Sequence, residues 1–121
     1  MIHSTRVRKI WLALHRVDFR RHHDGLLAEA YKVGLDPFRG DLLIFIGKHK
    51  TRLKVLYADD TGLWVATKRF TEESMRTKFK FLSDPNCSEI TQAELAMIVA
   101  GSAYKVEATV APYRPDGDGN A

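Results

Sequence analysis

Five histidines, one cysteine and fifteen acidic residues are the side chains of this 121-residue chain able to ligate a metal, attack a substrate or move a proton. A metal site would draw on Asp18, His22 and His23, with His3, His15 and His49 scattered elsewhere. Adjacent histidines on a helix project about 100° apart, so His22 and His23 do not share an ion as an i, i+4 pair would. They read as structural or phosphate-contacting side chains. A nuclease or strand-transfer centre needs several converging carboxylates, for which Asp59, Asp60, Glu72, Glu73 and Glu94 are the candidates. Each has a plainer use. Asp59 and Asp60 open an Asp-Asp-Thr-Gly turn, Glu94 completes a capping box with Thr91, and Glu72 and Glu73 follow Phe70 in a charged connection. Cys87 has no obvious nearby base, no serine sits in a glycine-flanked elbow, and Gly25, Gly34, Gly40, Gly47 and Gly62 stand one per turn rather than in a phosphate-cradling loop. No catalytic residue, metal ligand or cofactor is assigned, and the chain reads as a binding protein rather than an enzyme.

What remains is positive charge. Nineteen Lys and Arg against fifteen Asp and Glu give a net +4 and an isoelectric point near 9.3, and the excess is clustered. Residues 1–21 hold Arg6, Arg8, Lys9, Arg16, Arg20 and Arg21 against Asp18, and residues 48–54 hold Lys48, Lys50, Arg52 and Lys54 against no acid. Clustered cations are the footprint of a phosphate-binding surface, because each neutralised phosphate releases condensed counterions. The plain alternative is a solvated basic face. Trp11, Phe19, Trp64 and Phe70 interleave with the cations but fit core positions of strands better than stacking platforms.

The elements that must carry these residues are those of a single α+β domain: an antiparallel sheet meander packed with two short helices, spanning residues 1–112, with a flexible Gly-, Pro- and Asp-rich tail over 113–121. Val7 to His15 reads as a first strand with Ile10, Leu12 and Leu14 on one face. A helix follows from about Asp24, its plausible N-cap, to Val33, with Gly34 closing it. Asp36-Pro37-Phe38-Arg39-Gly40-Asp41 is turn chemistry, and Leu42 to Ile46 is a continuous apolar run suited to a central strand covered on both faces. Gly47 to Thr51 reads as a polar hairpin loop, Leu53, Val55 and Tyr57 as the returning strand, and Leu63 to Phe70 as its partner. The even spacing of Lys48, Lys50, Arg52 and Lys54 predicts one charged face along the extended segment. Thr77 to Leu82 suggests a further strand, and Asp84 to Ser88, which contains Cys87, a turn. Thr91-Gln92-Ala93-Glu94 starts a second helix that ends at Gly101. There is no apolar run long enough to span a membrane and no secretory leader pattern, so a reducing cytoplasm is the expected compartment.

In these blocks the chain resembles the TnpB-type accessory proteins of the insertion-sequence sixty-six group of bacterial transposable elements. Ile10 to Ala13, Asp18-Phe19-Arg20-Arg21 and Gly25-Leu26 match the family's opening pattern, and Asp36-Pro37-Phe38-Arg39-Gly40 with Leu42 to Ile46 match its turn and strand. Lys48 to Lys54, Asp59 to Gly62, Lys68-Arg69-Phe70 and Thr91 to Gly101 follow in the same order, so that the resemblance covers roughly residues 7–105. It departs after Phe70, where the family's Gly-Arg-Phe-x-Trp-Pro-like segment is replaced by Met75 to Phe81. The resemblance implies a non-catalytic role in transposition beside separate TnpA and TnpC proteins. Together with the charge pattern it gives the expectation of a DNA-binding accessory module contacting phosphates through Arg20, Arg21, Lys48, Lys50, Arg52, Lys54, Lys68 and Arg69. The rival expectation is a protein–protein adaptor for the transposase that does not touch DNA, presenting an apolar or edge-strand surface instead.

Overall fold

A computed structural model describes residues 7–72 and 79–101. Five strands form one sheet in the order β4-β3-β2-β1-β5, with β1 at Lys9–Ala13, β2 at Asp41–Ile46, β3 at Arg52–Ala58, β4 at Leu63–Arg69 and β5 at Cys87–Ile90. Helix α1 spans His23–Lys32 and α2 spans Gln92–Ala100. The α+β expectation stands: β2, β3 and β4 are the antiparallel meander, and β5 is antiparallel to β1. One pairing was not foreseen. β1 runs parallel to β2, Ile10 opposite Leu42 and Leu12 opposite Ile44, because α1 and the following turn carry the chain back to the same end of the sheet.

β2 is the middle strand, and its unbroken apolar run serves both faces. Leu42, Ile44 and Ile46 pack with Leu12, Leu14, Leu53, Val55, Leu95 and Ile98 beneath α2, whereas Leu43 and Phe45 pack with Trp11, Leu26, Ala30 and Leu56 beneath α1. The sheet thus lies between two single helices, each burying one stripe.

The turn before β2 is fixed by two aspartates. Asp36 accepts from the Phe38 N–H at 2.9 Å and caps a single 3-10 turn, Pro37–Arg39, which Gly40 ends at φ 105°, a conformation that excludes a side chain at little cost only for glycine. Asp41 accepts from the Asp36 N–H and from the Trp11 indole, both at 2.9 Å, and so ties the turn to β1. α2 starts with the foreseen capping box: Thr91 Oγ1 accepts from the Glu94 N–H at 3.1 Å and the Glu94 carboxylate accepts from the Thr91 N–H at 2.8 Å. Gly101, at φ 77°, stops it.

Three local expectations are corrected. Asp24 lies inside α1; its N-cap is His22, which contributes no side-chain capping bond. Cys87 and Ser88 open an edge strand rather than completing a turn, with Cys87 buried against α1's side of the sheet and its thiol pushed up to about 12, first by desolvation and then by the Asp41 charge. Of the proposed strand Thr77 to Leu82, the described part makes one bridge, Leu82 to His15, and no strand. The rest of that segment, and the boundary at residue 112 with its tail, lie outside the described residues.

Candidate nucleic-acid interface

Lys54 decides the shape of the site. It occupies a core-facing position on β3, only 4% exposed, and its ammonium donates to the backbone carbonyls of Phe19 and Arg21, both at 2.7 Å. Burial lowers its pKa, the nearby Arg52 charge adds to this, and Asp18 opposes it. An ammonium is kept in such a place by the acceptors that replace its water, and here those acceptors belong to the connection between β1 and α1. Lys54 therefore anchors that connection instead of facing a ligand. It points to the same side of β3 as Arg52, as the even spacing predicts, but the loop it holds covers it.

Above this anchor the β1–α1 connection and the β2–β3 hairpin loop face each other. Phe19 lies between them, with the Arg52 guanidinium 5.6 Å and the Lys54 ammonium 5.1 Å from its ring centroid. Gly47 lets the hairpin approach: a Cβ there would stand 3.2 Å from the Arg52 carbonyl and 3.4 Å from the Phe19 ring. The result is an open cleft of about 560 Å³ whose charged lining is Arg16, Arg20, Lys48 and Arg52 with Asp18, joined by His49.

Asp18 and Arg20 neutralise each other. The arginine donates through Nε at 3.0 Å and Nη2 at 2.7 Å, and its backbone N–H donates at 2.9 Å, so the Asp18 carboxyl is held well below the usual carboxylate range. The cleft's net charge consequently rests on Arg16, Lys48 and Arg52. Arg69, exposed and directly opposite Arg52 in the β3–β4 register, extends the basic strip onto the next strand.

The remaining expected residues go elsewhere. The Lys68 ammonium lies on the α2 side of the sheet, donating to the Val99 carbonyl at 2.6 Å over the Phe70 ring. Lys50, in the left-handed region at φ 63°, extends over Phe81, which packs on the α2 side. Arg21 lies 3.6 Å from Glu29, a buried carboxylate that also holds Lys32 at 3.3 Å and His15 Nε2 at 3.4 Å. The eight residues thus divide. Arg20, Lys48, Arg52 and Arg69 come together, Lys54 supports them from below, and Arg21, Lys50 and Lys68 point away. Arg16, which the charge clusters contained but the chosen set did not, joins the site.

Of the acids that might have formed a metal centre, Asp59 is engaged within its own turn and Glu94 in the capping box of α2. Asp59 accepts from the Thr61 and Gly62 N–H groups at 2.9 Å and from the Trp64 indole at 2.7 Å; the indole contact is the main reason its pKa falls to about 2. Among the described residues no three His, Cys, Asp or Glu side chains converge, and no helix is long and apolar enough to cross a membrane.

Comparison with known proteins places the chain in a family. Residues 8–108 match the family described as IS66 Orf2 like protein. The chain is 34% identical over 102 residues to an uncharacterized protein, y4jC, of Sinorhizobium fredii (strain NBRC 101917 / NGR234), a match covering 84% of this chain and 85% of that one. No solved structure matches. The family match runs from the residue before β1 to beyond the end of α2, the span over which the sequence blocks resemble the insertion-sequence sixty-six proteins, and the chain belongs to the IS66 Orf2-like family.

Proposed function

We propose that this protein is a non-catalytic accessory factor in the transposition of an IS66-type element, and that it grips the phosphodiester backbone of DNA in the cleft between residues 16–20 and 47–52. The observation that carries the reading is the convergence of Arg16, Lys48 and Arg52, from two separate loops, on one open cleft with Arg69 beside it. Phe19 under Arg52 supports the guanidinium, and arginine's planar fork is suited to phosphate oxygens. Arg20 keeps its Nη1 hydrogens for an acceptor while Asp18 fixes the rest of its head group. Such contacts position DNA without reading bases. The non-catalytic part of the proposal is supported by Asp59 and Glu94, whose carboxylates are used up by a turn and a cap. Its partners are DNA and the transposase and other accessory proteins of the same element.

The test is a salt series of binding to labelled element-end DNA and to random DNA, between about 50 mM and about 200 mM salt. With Arg16, Lys48, Arg52 and Arg69 each neutralising a phosphate, the slope of log affinity against log salt should be roughly −3 to −4, and similar on both DNAs. No binding at the low-salt end would remove the DNA reading. It would leave the adaptor, which is favoured by the half-exposed Trp64 on the outermost strand β4.

A further inference from the structure

Among the described residues β4, seven residues long, pairs with β3 alone, so one of its sides carries backbone groups that no described strand meets. The bonds closing the β3–β4 hairpin say which. Asp59 N–H donates to the Gly62 carbonyl at 2.9 Å and Phe70 N–H donates to the Thr51 carbonyl at 2.8 Å. Alternation between these two ends assigns Trp64, Ala66 and Lys68 to the bonds with β3, which leaves the N–H and C=O groups of Leu63, Val65, Thr67 and Arg69 directed outward. Proline and bulges, two usual ways of blunting such an edge, are absent from β4, whose seven-residue register with β3 is unbroken; its charges, Lys68 and Arg69, sit together at one end, and the Lys68 ammonium is turned to the Val99 carbonyl.

We propose that this edge pairs with the same edge of a second copy, antiparallel about a two-fold axis at Ala66, to give a continuous ten-stranded sheet. The sequence of β4 is self-complementary in that one register. Leu63 pairs with the second copy's Arg69, and Val65 with its Thr67, so every outward N–H and C=O finds a partner. Ala66 meets itself at a non-hydrogen-bonded pair, where side chains stand closest and a small one fits. Trp64, whose indole is fixed by Asp59 and stacked on Tyr57 at 6.0 Å, faces the stem of the second copy's Lys68. Shifting the axis to Lys68 would set cation against cation, and shifting it to Val65 or Thr67 would leave outward groups unpaired. No acid lies on β4, so the antiparallel arrangement also separates Lys68 and Arg69 from their own copies. The axis stands perpendicular to the sheet. Both basic clefts therefore open on the same face, with the two Arg52 Cα atoms roughly 25 Å apart by strand geometry.

The test uses the full chain. Sedimentation equilibrium should show a monomer–dimer equilibrium, and Thr67→Pro, which deletes one outward N–H without touching the β3 ladder, should weaken it with unchanged circular dichroism. Cysteine crosslinking keeps the test independent of that variant's folding. In the proposed register two copies of Ala66 have Cα atoms about 4.5 Å apart, within disulfide reach, whereas two copies of Thr67 stand about 8–9 Å apart, beyond it. Ala66→Cys should form a disulfide dimer under mild oxidation at least about tenfold faster than Thr67→Cys, and Cys87, being buried, gives little background. A monomer up to millimolar concentration, or equal crosslinking of the two cysteine variants, overturns the proposal.

Discussion

Replacing Lys54 with methionine tests whether the basic cleft is built from below. Methionine nearly conserves the volume and removes the ammonium, leaving the Phe19 and Arg21 carbonyls without their 2.7 Å donor. A hydrogen bond to a charged group contributes about 1.5–3 kcal/mol net, which for two such bonds gives an upper bound near 6 kcal/mol. The desolvation that lowers the Lys54 pKa works against this bound, since methionine needs no water replaced. Both carbonyls also belong to an exposed loop that can admit water once released. We therefore expect a loss of about 2–3 kcal/mol, which for a domain of this size is a fall of roughly 10–20 °C in melting temperature. The second readout is functional. With the loop freed, Arg16 and Arg20 no longer face Lys48 and Arg52, so DNA affinity should fall even well below the melting temperature of the variant. A melting temperature within about 3 °C of the parent, or lost stability with unchanged DNA binding, would refute the view that Lys54 positions the cleft.

Other perturbations separate support from contact. Replacing Lys48 and Arg52 together with alanine should flatten the salt slope by roughly two and barely alter the melting temperature, whereas Lys68→Ala, on the opposite face, should leave the slope unchanged. Gly40→Ala forces a side chain onto a residue at φ 105° and should cost about 1–3 kcal/mol, measured by urea denaturation. Asp59 has a folded-state pKa lowered to about 2 from 3.8, so its contribution is complete above the unfolded value and is lost as pH falls from about 4 to 2. Trp64 fluorescence should follow that loss, and Asp59→Asn should abolish this titration.

Much of the architecture was legible because local chemistry and tertiary role agree. The capping box at Thr91, the central strand Leu42 to Ile46 and the Asp36 to Gly40 turn each have one use for their residues, and the fold puts them to it. β5 was not legible. Asp84, Pro85 and Asn86 announce a turn, and nothing in Cys-Ser-Glu-Ile says that the next residues pair with β1, seventy-odd positions earlier in the chain. The parallel partnership of β1 and β2 has the same origin, a non-local contact that periodicity cannot report.

The site was half legible for a related reason. A sequence shows which positions of a strand share a side but not what covers that side, and Lys54 and Arg52 differ only in the loop that crosses one and not the other. A period of two therefore selected both as phosphate contacts. Buried lysine is distinguishable from exposed lysine only by its acceptors, and those of Lys54 are backbone carbonyls more than thirty residues away, which carry no residue-type signature. Arg16 shows the converse: it follows the buried His15 just after β1, and only the folded loop places it on the cleft beside the hairpin. Charge density in the sequence picks out two segments, and the fold sets them on either side of one cleft. Lys54, which the charge pattern groups with the exposed cations, is buried instead and ties the residue 19–21 backbone to β3, and so holds the two basic segments side by side.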